Sequence, residues 1–436
     1  MSVLFKGFKR KQKVTGKTGW PGFAAKVERR MPMLFMIWLI LSVLGPHRDL
    51  YKIFFHGIVT PAILILLISG RAHIKWRDPL LLLAMILAAY SSITTFIVGQ
   101  GPIGGHIRAF RWGVETFFCL QAYSLWLPSV LNRPSWWGRY FMLLALLGAA
   151  GGFLLFATGM VSGRLSGLGA LHNPIQASSI LLIYLAIGHF LVFIHQPSSD
   201  KSAICLLIFS SIAVTLFVLM SQSRAPIFAM AVFLFYLGCW SLINNSLLKS
   251  GLVLLGGAGL VIGVLAWVYS LDHYHDLMLI RGSSYRFEVW KGYLLSLRDS
   301  WIFGFGAGTD PAQLDVAKEY WVKTRTPILH AHNIWLGTLV KNGIIGLGLL
   351  LAIAGLPLKS VFTGPTTRRE RIGLMMILLL VFLLTLTGEH TLISSVKAIW
   401  LFGWLPLLFV WSLAHKSGCR LKNTSGENLP VTSKEI

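Results

Sequence analysis

A series of long apolar stretches restricts the fold of this chain more than any other feature. Hydrophobic residues make up 55% of the 436 positions, only 13% are charged, and the mean hydropathy is +0.68. Runs of about 17 to 25 apolar residues are long enough to cross a bilayer as helices. About twelve such stretches occur, at residues 31–45, 53–70, 79–98, 109–131, 139–159, 175–195, 202–220, 225–243, 250–270, 333–356, 372–388 and 394–414.

These stretches predict helices and not the strands of a barrel. Inside a bilayer every backbone amide must find its partner within the protein, which leaves helices and closed barrels as the possible structures. The stretches are longer and more uniformly apolar than the alternating segments of barrel strands. The predicted fold is therefore an all-α polytopic integral membrane protein with about twelve transmembrane helices.

The positions of the basic residues predict the orientation of the helices. Lys and Arg outnumber Asp and Glu by 39 to 16, and an even number of spans places both termini on one side. The tails and alternate loops of that side hold 24 of the 39 basic residues, which is the positive-inside pattern. We therefore expect both termini in the cytoplasm. Because the basic clusters adjoin spans, they favour contact with anionic lipid over nucleic acid.

One long polar insertion interrupts the apolar sequence, and the same pattern places it outside the cytoplasm. Loops of this kind commonly carry the function of a protein. The first thirty residues lack a signal-peptide cleavage site, so we expect them to remain as a tail. The predicted segments are a basic cytoplasmic tail at 1–30, spans one to nine at 31–270, the outer loop at 271–331, spans ten to twelve at 332–414, and a cytoplasmic tail at 415–436.

Two short helices are predicted inside the outer loop. Apolar and aromatic residues recur every four positions, which predicts a helix from Ser283 to Leu297. Glycines at 304, 306 and 308 end this pattern, and a second helix is predicted from about Pro311 to Val322. We expect the two helices to cover the outer end of the bundle.

Single arginines recur at the outer ends of the spans. Arg164 lies in a short outer loop, Arg224 in the turn after the seventh span, and Arg281 and Arg286 at the start of the loop helix. A desolvated arginine is costly at a membrane boundary, and its planar fork suits the oxygens of a phosphate. These positions indicate a lipid-linked phosphate or diphosphate as substrate. The alternative is that each arginine reaches a lipid headgroup or a distant carboxylate.

A histidine motif closes the outer loop. His332-Asn333 is followed by nine residues and then by Gly343-Ile344-Ile345-Gly346. Shorter pieces precede it in order, and this ordered set, over roughly residues 160 to 350, resembles the bacterial O-antigen ligase and polymerase family. The shorter pieces are Gly163-Arg164 leading to Asn173-Pro174, then Ser223-Arg224, Arg286-x-x-x-Trp290 and the segment from Ile302 to Gly308.

The resemblance implies a GT-C-like membrane glycosyltransferase whose donor is a glycan on a polyprenyl diphosphate. In the ligases of this family, O-antigen moves from undecaprenyl diphosphate to the lipid A-core oligosaccharide, at the periplasmic face of the bacterial inner membrane. Carried over by position, the resemblance implies that His332, Arg286 and Arg224 are needed for activity. The full set of candidate residues is His332 and Arg286 for catalysis, Arg164, Arg224, Arg281 and Arg286 for the diphosphate, and Asn333, Trp290 and His330 in support.

The residue types suit this chemistry. Glycosyl transfer from a diphosphate requires charge stabilisation on the leaving group and removal of a proton from the acceptor hydroxyl. No Asp-x-Asp pair occurs in the outer segments, so we expect arginines to replace a metal and no cofactor to be needed. His332 is the candidate general base. Because no nucleophile motif is evident, direct inverting displacement is favoured over a covalent intermediate.

Structural roles remain open for several of these residues. His332 could cap or anchor the tenth span, and Trp290 could belong to the interfacial aromatic belt instead of stacking on a sugar. His330 and His332 lack a third metal ligand nearby in sequence. The cysteines, which lie in spans or in the C-terminal tail, support no thiol metal site.

Other functions are also open. Family polymerases tend to have two large outer loops, whereas the other outer loops here are short, which favours a ligase. A transporter or flippase would place ionisable residues at the bilayer midplane, where only Glu115 and Lys397 are candidates.

Overall fold

The computed structural model describes residues 19–99, 102–198, 200–243, 286–309, 314, 317–318, 331–386, 388 and 391–424. Within these residues the protein is helical and contains no strand. The helices are α1 (Trp20–Leu44), α2 (Leu50–Ile68), α3 (Pro79–Val98), α4 (Ile103–Asn132), α5 (Pro134–Ala157), α6 (Pro174–His195), α7 (Lys201–Met220), α8 (Arg224–Ile243), α9 (Arg286–Ser296), α10 (Ile334–Thr363), α11 (Arg368–Thr385) and α12 (Leu405–Thr424), the last preceded by a π-turn at Trp400–Trp404.

Short polar residues determine where several helices begin. The Asp78 carboxylate accepts hydrogen bonds from the backbone N–H groups of Leu80 and Leu81 at the start of α3. Asn173 caps α6 in the same way, and Thr367 forms a reciprocal capping box at the start of α11. These residues satisfy N–H groups that the first turn of a helix leaves unpaired.

α6 forms the centre of the bundle, since 94% of the residues in its most apolar stretch of 18 are buried. α5 approaches it closely because Gly138 faces Gly188, where a Cβ atom on either residue would lie within 3 Å of the other's carbonyl oxygen. Small residues at such a crossing allow two backbones to pack tightly in a membrane. An aromatic cluster fills the space between α1 and α4, where the rings of Phe35 and Trp126 stack at 4.4 Å.

The described helices confirm the predicted all-α fold of a multi-pass membrane protein. Seven are long and apolar enough to cross a bilayer. The ninth predicted span, at 250–270, lies outside the described residues, so the total of twelve stays a prediction. α1 begins at Trp20, well before the predicted residue 31, because Pro21 supplies a favourable first turn.

The first helix predicted within the long polar insertion is present. α9 covers Arg286–Ser296, and a 3₁₀ turn at Leu297–Asp299 ends it. The predicted helix from Pro311 to Val322 falls almost entirely outside the described residues.

Candidate active site

α10 is interrupted by a break at Gly343, where φ is 63° and ψ is −166°. Backbone groups on either side of the break pair with the glycine-rich segment that follows α9. The N–H of Phe305 donates to the carbonyl of Val340 at 2.9 Å, and the N–H of Ile344 donates to the carbonyl of Trp301 at 2.8 Å. The loop therefore replaces hydrogen bonds that the broken helix loses.

Both glycines of the histidine motif have a steric role. A Cβ atom on Gly343 would overlap the carbonyl oxygen of Ile302, and one on Gly346 would overlap the side chain of Asn342. Gly343 also adopts a positive φ, which an L-residue with a side chain rarely does. We conclude that the first motif glycine is required by the docked loop, a contact that sequence spacing alone does not reveal.

The glycine-rich segment is also fixed to the opposite side of the bundle. The N–H of Ala307 donates to the hydroxyl of Thr95 at 2.8 Å, near the end of α3. A Cβ atom on Gly105, at the start of α4, would lie 2.5 Å from the carbonyl oxygen of Gly308. Residues 301–309 thus join the ends of α3 and α4 to the break in α10.

His332 lies at the entrance to α10 in a left-handed conformation, with φ of 50°. Its exposed side chain follows Ala331, which is buried, and precedes Asn333, which is also buried. Asn333 caps α10 by accepting hydrogen bonds from the N–H groups of Trp335 and Leu336 at 2.9 and 3.1 Å. The neighbours therefore hold a backbone conformation that costs about 1–2 kcal/mol, and strain of this kind is often found at functional sites.

Trp290 fixes α9 against the residue before His332. Its indole N–H donates to the carbonyl of Ala331 at 2.8 Å. Tyr293 on α9 and Leu297 in the turn that follows it belong to one buried apolar cluster with Leu336, on the first turn of α10. The helix that carries Arg286 is therefore docked directly beside the histidine motif.

Arg286 is the first residue of α9 and lies one helical turn before Trp290. Arg281 and His330 lie outside the described residues.

Arg164 organises the turn between α7 and α8. Its Nε donates to the carbonyl of Ser221 at 2.9 Å, and its Nη2 donates to the hydroxyl of Ser223 at 2.8 Å. Gln222, between the two serines, has a φ of 52°. Arg224 follows directly and begins α8 with an exposed side chain. Arg164 and Arg224 are thus brought together, and at least part of the Arg164 guanidinium serves to position the turn.

The hydrogen bonds of Arg164 differ from the expectation that its guanidinium binds the phosphate of a substrate. A carbonyl and a hydroxyl far along the chain supply hydrogen-bond acceptors, and neither lies near Arg164 in sequence. Gln222 and His332 are the two non-glycine residues with positive φ in the described chain. His332 is itself a candidate site residue, and Gln222 lies two residues before Arg224.

The end of α11 links the two parts of the site. The rings of Trp335 and Phe382 are 6.0 Å apart, which joins the start of α10 to the last turn of α11. Beyond that turn, a Cβ atom on Gly388 would lie 3.7 Å from Ile175 at the start of α6. Ser178, one turn further along α6, bonds to Ser221 at 2.9 Å. The arginine turn and His332 therefore lie at the same end of the bundle.

An apolar groove runs from the His332 region along α10 and α11. It has a cavity volume of about 250 Å³. Ile334 and Trp335 line one end of it, directly after the histidine motif, and Leu358 and Met375 line the other. Its position therefore joins the candidate site to the apolar sides of the helices.

Exchanging Arg164 for lysine is expected to lower the thermal stability of the protein, because one ammonium group cannot reproduce the two-point contact with the turn. A double-mutant cycle of R164K with S223A, followed by thermal unfolding in detergent, is expected to give a coupling free energy of about 1 kcal/mol. Strict additivity of the two substitutions would show that the hydrogen bond contributes nothing.

The fold is that of a multi-pass membrane protein, and the candidate residues Arg164, Arg224 and His332 lie at one end of its helical bundle. The sequence profile of the family described as O-Antigen ligase matches residues 208–351, which include Arg224, Arg286 and His332. An O-antigen ligase of Pseudomonas aeruginosa is 23% identical over 385 residues, covering 86% of this chain and 89% of the relative. The chain is therefore similar to O-antigen ligases, most clearly over the segment that carries these three residues.

Proposed function

We propose that this protein is an O-antigen ligase. It transfers O-antigen polysaccharide from undecaprenyl diphosphate to the lipid A-core oligosaccharide, at the periplasmic face of the inner membrane. The observation that carries the proposal is His332, held in a left-handed conformation between the docked Trp290 and the cap Asn333. The similarity to O-antigen ligases supports the same reaction class.

In this proposal His332 acts as the general base. Its exposed imidazole accepts the proton from the acceptor hydroxyl while that oxygen attacks the anomeric carbon of the donor sugar. The glycosidic bond to the diphosphate breaks in the same step, and undecaprenyl diphosphate leaves with both electrons of that bond. The configuration at the anomeric carbon is therefore inverted. A positioned general base contributes about 10² to 10⁴ to such a rate.

The arginines stabilise the leaving diphosphate. Arg224 is exposed at the start of α8, and Arg286 begins the helix that docks beside His332. A guanidinium binds two phosphate oxygens at once and retains its charge at all physiological pH values. Arg164 acts mainly through the turn that carries Arg224, while Arg281 and His330 remain candidate contacts on the outer loop.

The undecaprenyl tail occupies the groove between α10 and α11. The proximity of Ile334 to His332 supports this choice, because a tail in this groove brings the anomeric carbon of the donor within reach of the acceptor hydroxyl that the imidazole deprotonates. In keeping with the positive-inside pattern, both termini face the cytoplasm and the site faces the periplasm. The reaction uses no metal or other cofactor.

A reconstituted reaction tests this proposal. Purified protein is mixed with undecaprenyl-diphosphate glycan and rough lipopolysaccharide, without nucleotide or ion gradient. A ladder of modified lipopolysaccharide is the expected product. A lengthened donor alone would identify a polymerase instead, and no reaction would direct attention to transport. Loss of activity with a chelator, restored by a divalent ion, would disprove the metal-free mechanism.

Exchanging Arg286 for lysine is expected to lower the transfer rate about tenfold or more, because a single ammonium cannot form the paired hydrogen bonds to phosphate. The rate is measured at saturating acceptor over a range of donor concentrations. Lys291 on the exposed side of α9 provides a control, since K291R keeps the charge and leaves the rate unchanged. Full activity of R286K would indicate simple ionic anchoring of α9.

A further inference from the structure

A second group of cations surrounds one indole on the other side of α10. The guanidinium carbon of Arg108 lies 5.9 Å from the ring centroid of Trp112, the ammonium of Lys341 lies 5.7 Å from it, and that of Lys397 lies 5.8 Å from it. Any two of these charges are therefore separated by less than twice that distance. This distance is comparable to the Debye length at physiological ionic strength, so the three charges repel one another.

Three separate parts of the chain converge here. Arg108 and Trp112 lie on α4, Lys341 lies immediately before the break in α10, and Lys397 lies in the segment before α12. Lys341 is only 8% exposed. The break that docks the glycine-rich loop thus also brings a buried lysine to α4.

A carboxylate lies next to this group but pairs with other residues. Glu115, one turn along α4 from Trp112, contacts the Nε of Arg111 at 3.2 Å and His56 at 3.8 Å. One of its oxygens, Oε2, is buried and makes no hydrogen bond to the described protein groups. Neither Arg108 nor Lys397 forms an ion pair with this carboxylate, so Glu115 does not balance these two charges.

We propose that Arg108, Lys341 and Lys397 form a second anion-binding site, which holds an acidic group, phosphate or carboxylate, on the saccharide acceptor. A site of this composition binds such a group by charge, while the Trp112 indole offers an apolar face to an adjoining sugar ring. This inference rests on the proposed function, because it assigns the site to the second substrate of that reaction.

Two geometric arguments favour the acceptor over the donor. In an inverting displacement the acceptor hydroxyl attacks from the side opposite the leaving diphosphate, so the two substrates need separate anchors. The arginine turn between α7 and α8 and the Trp112 group lie on different helices, as this requires. Lys341 also lies about 13 Å further along α10 than His332. A lipid-anchored saccharide that reacts at its outer tip would place its inner, membrane-proximal sugars at such a depth.

The test compares the apparent KM of the two substrates. K397Q, and the double variant K341Q with K397Q, are expected to raise the acceptor KM about tenfold or more, while the donor KM changes by less than about twofold. K397R is expected to keep most of the affinity. K359Q is the matched control, since Lys359 is an exposed lysine near the other end of α10. Thermal unfolding confirms that each variant is folded. If the double variant is unstable because Lys341 is buried, the single variant K397Q still tests the proposal.

Acceptor stripped of its phosphates by phosphatase distinguishes the sources of the anion. Wild-type protein is expected to show a raised KM for this acceptor if phosphate is the ligand, and K397Q then adds no further increase. An unchanged KM for wild type with the usual loss in K397Q would assign the site to a carboxylate.

Three outcomes would overturn the second site. A rise in the donor KM of the variants would assign the cations to the diphosphate. If the variants lose activity only when the membrane contains anionic phospholipid, the cations bind lipid headgroups. Unchanged KM values in all variants would leave the cations a packing role. Absence of any transfer by wild-type protein is a different result, because it would contradict the proposed function itself.

Discussion

Replacing His332 with alanine is expected to reduce glycan transfer at least a hundredfold, while the protein remains folded and inserted. The reason is loss of the proton acceptor, which contributes about 10² to 10⁴ in rate. The initial rate of lipopolysaccharide laddering in the reconstituted reaction measures this effect. H73A is the matched control, because His73 is an exposed histidine in the loop between α2 and α3 and its loss leaves the rate unchanged.

A glycine at the same position separates the imidazole from the backbone. Because φ at residue 332 is 50°, alanine keeps the strain and glycine relieves it. H332G is therefore expected to unfold at a higher temperature than H332A, yet to be equally inactive. Activity in H332G with none in H332A would show that backbone geometry, and not the imidazole, is what the reaction needs. Activity in both variants would remove the general-base mechanism.

The second large effect is expected at Gly343, where alanine should both destabilise the protein and reduce transfer about a hundredfold. Its methyl group would overlap the carbonyl of Ile302, and the residue would have to keep a φ of 63°. Relief of this overlap requires the glycine-rich loop to separate from α10, with loss of its backbone hydrogen bonds. Strain and lost hydrogen bonds together are expected to cost about 2–4 kcal/mol.

Thermal unfolding in detergent and the transfer assay together measure the consequence for G343A. G348A is the control on the same helix, because a Cβ atom there meets no neighbour within 4 Å. An alanine in an open helical position is expected to be neutral or to stabilise by up to about 1 kcal/mol. Equal behaviour of the two variants would mean that the docked loop is not needed for the fold or the reaction.

The helical fold follows from local properties of the chain and could be predicted. The length of an apolar segment determines whether it can cross a bilayer. Residues such as Asn173 and Asn333 mark the starts of helices, because their side chains cap the first turn. The cap role of Asn333 could therefore have been found from its place directly before an apolar run. α9 was predictable for a similar reason, since its apolar residues recur at helical spacing.

The architecture of the site depends on contacts between distant parts of the chain, which spacing does not encode. Gly343 is one example, because its positive φ accommodates a loop some forty residues earlier. The partners of Arg164 lie 57 and 59 residues away. Likewise, Lys397 looked like an isolated charge in a span until the fold placed it near Lys341 and Trp112.

A structure of the protein in a lipid nanodisc with bound undecaprenyl diphosphate would show whether the arginines hold the leaving group next to His332. We expect guanidinium nitrogens of Arg224 and Arg286 at about 3 Å from the diphosphate oxygens, with the imidazole facing the terminal phosphate and the tail between α10 and α11. A diphosphate seated on the cations around Trp112, with Arg224 and Arg286 turned away from it, would contradict this arrangement.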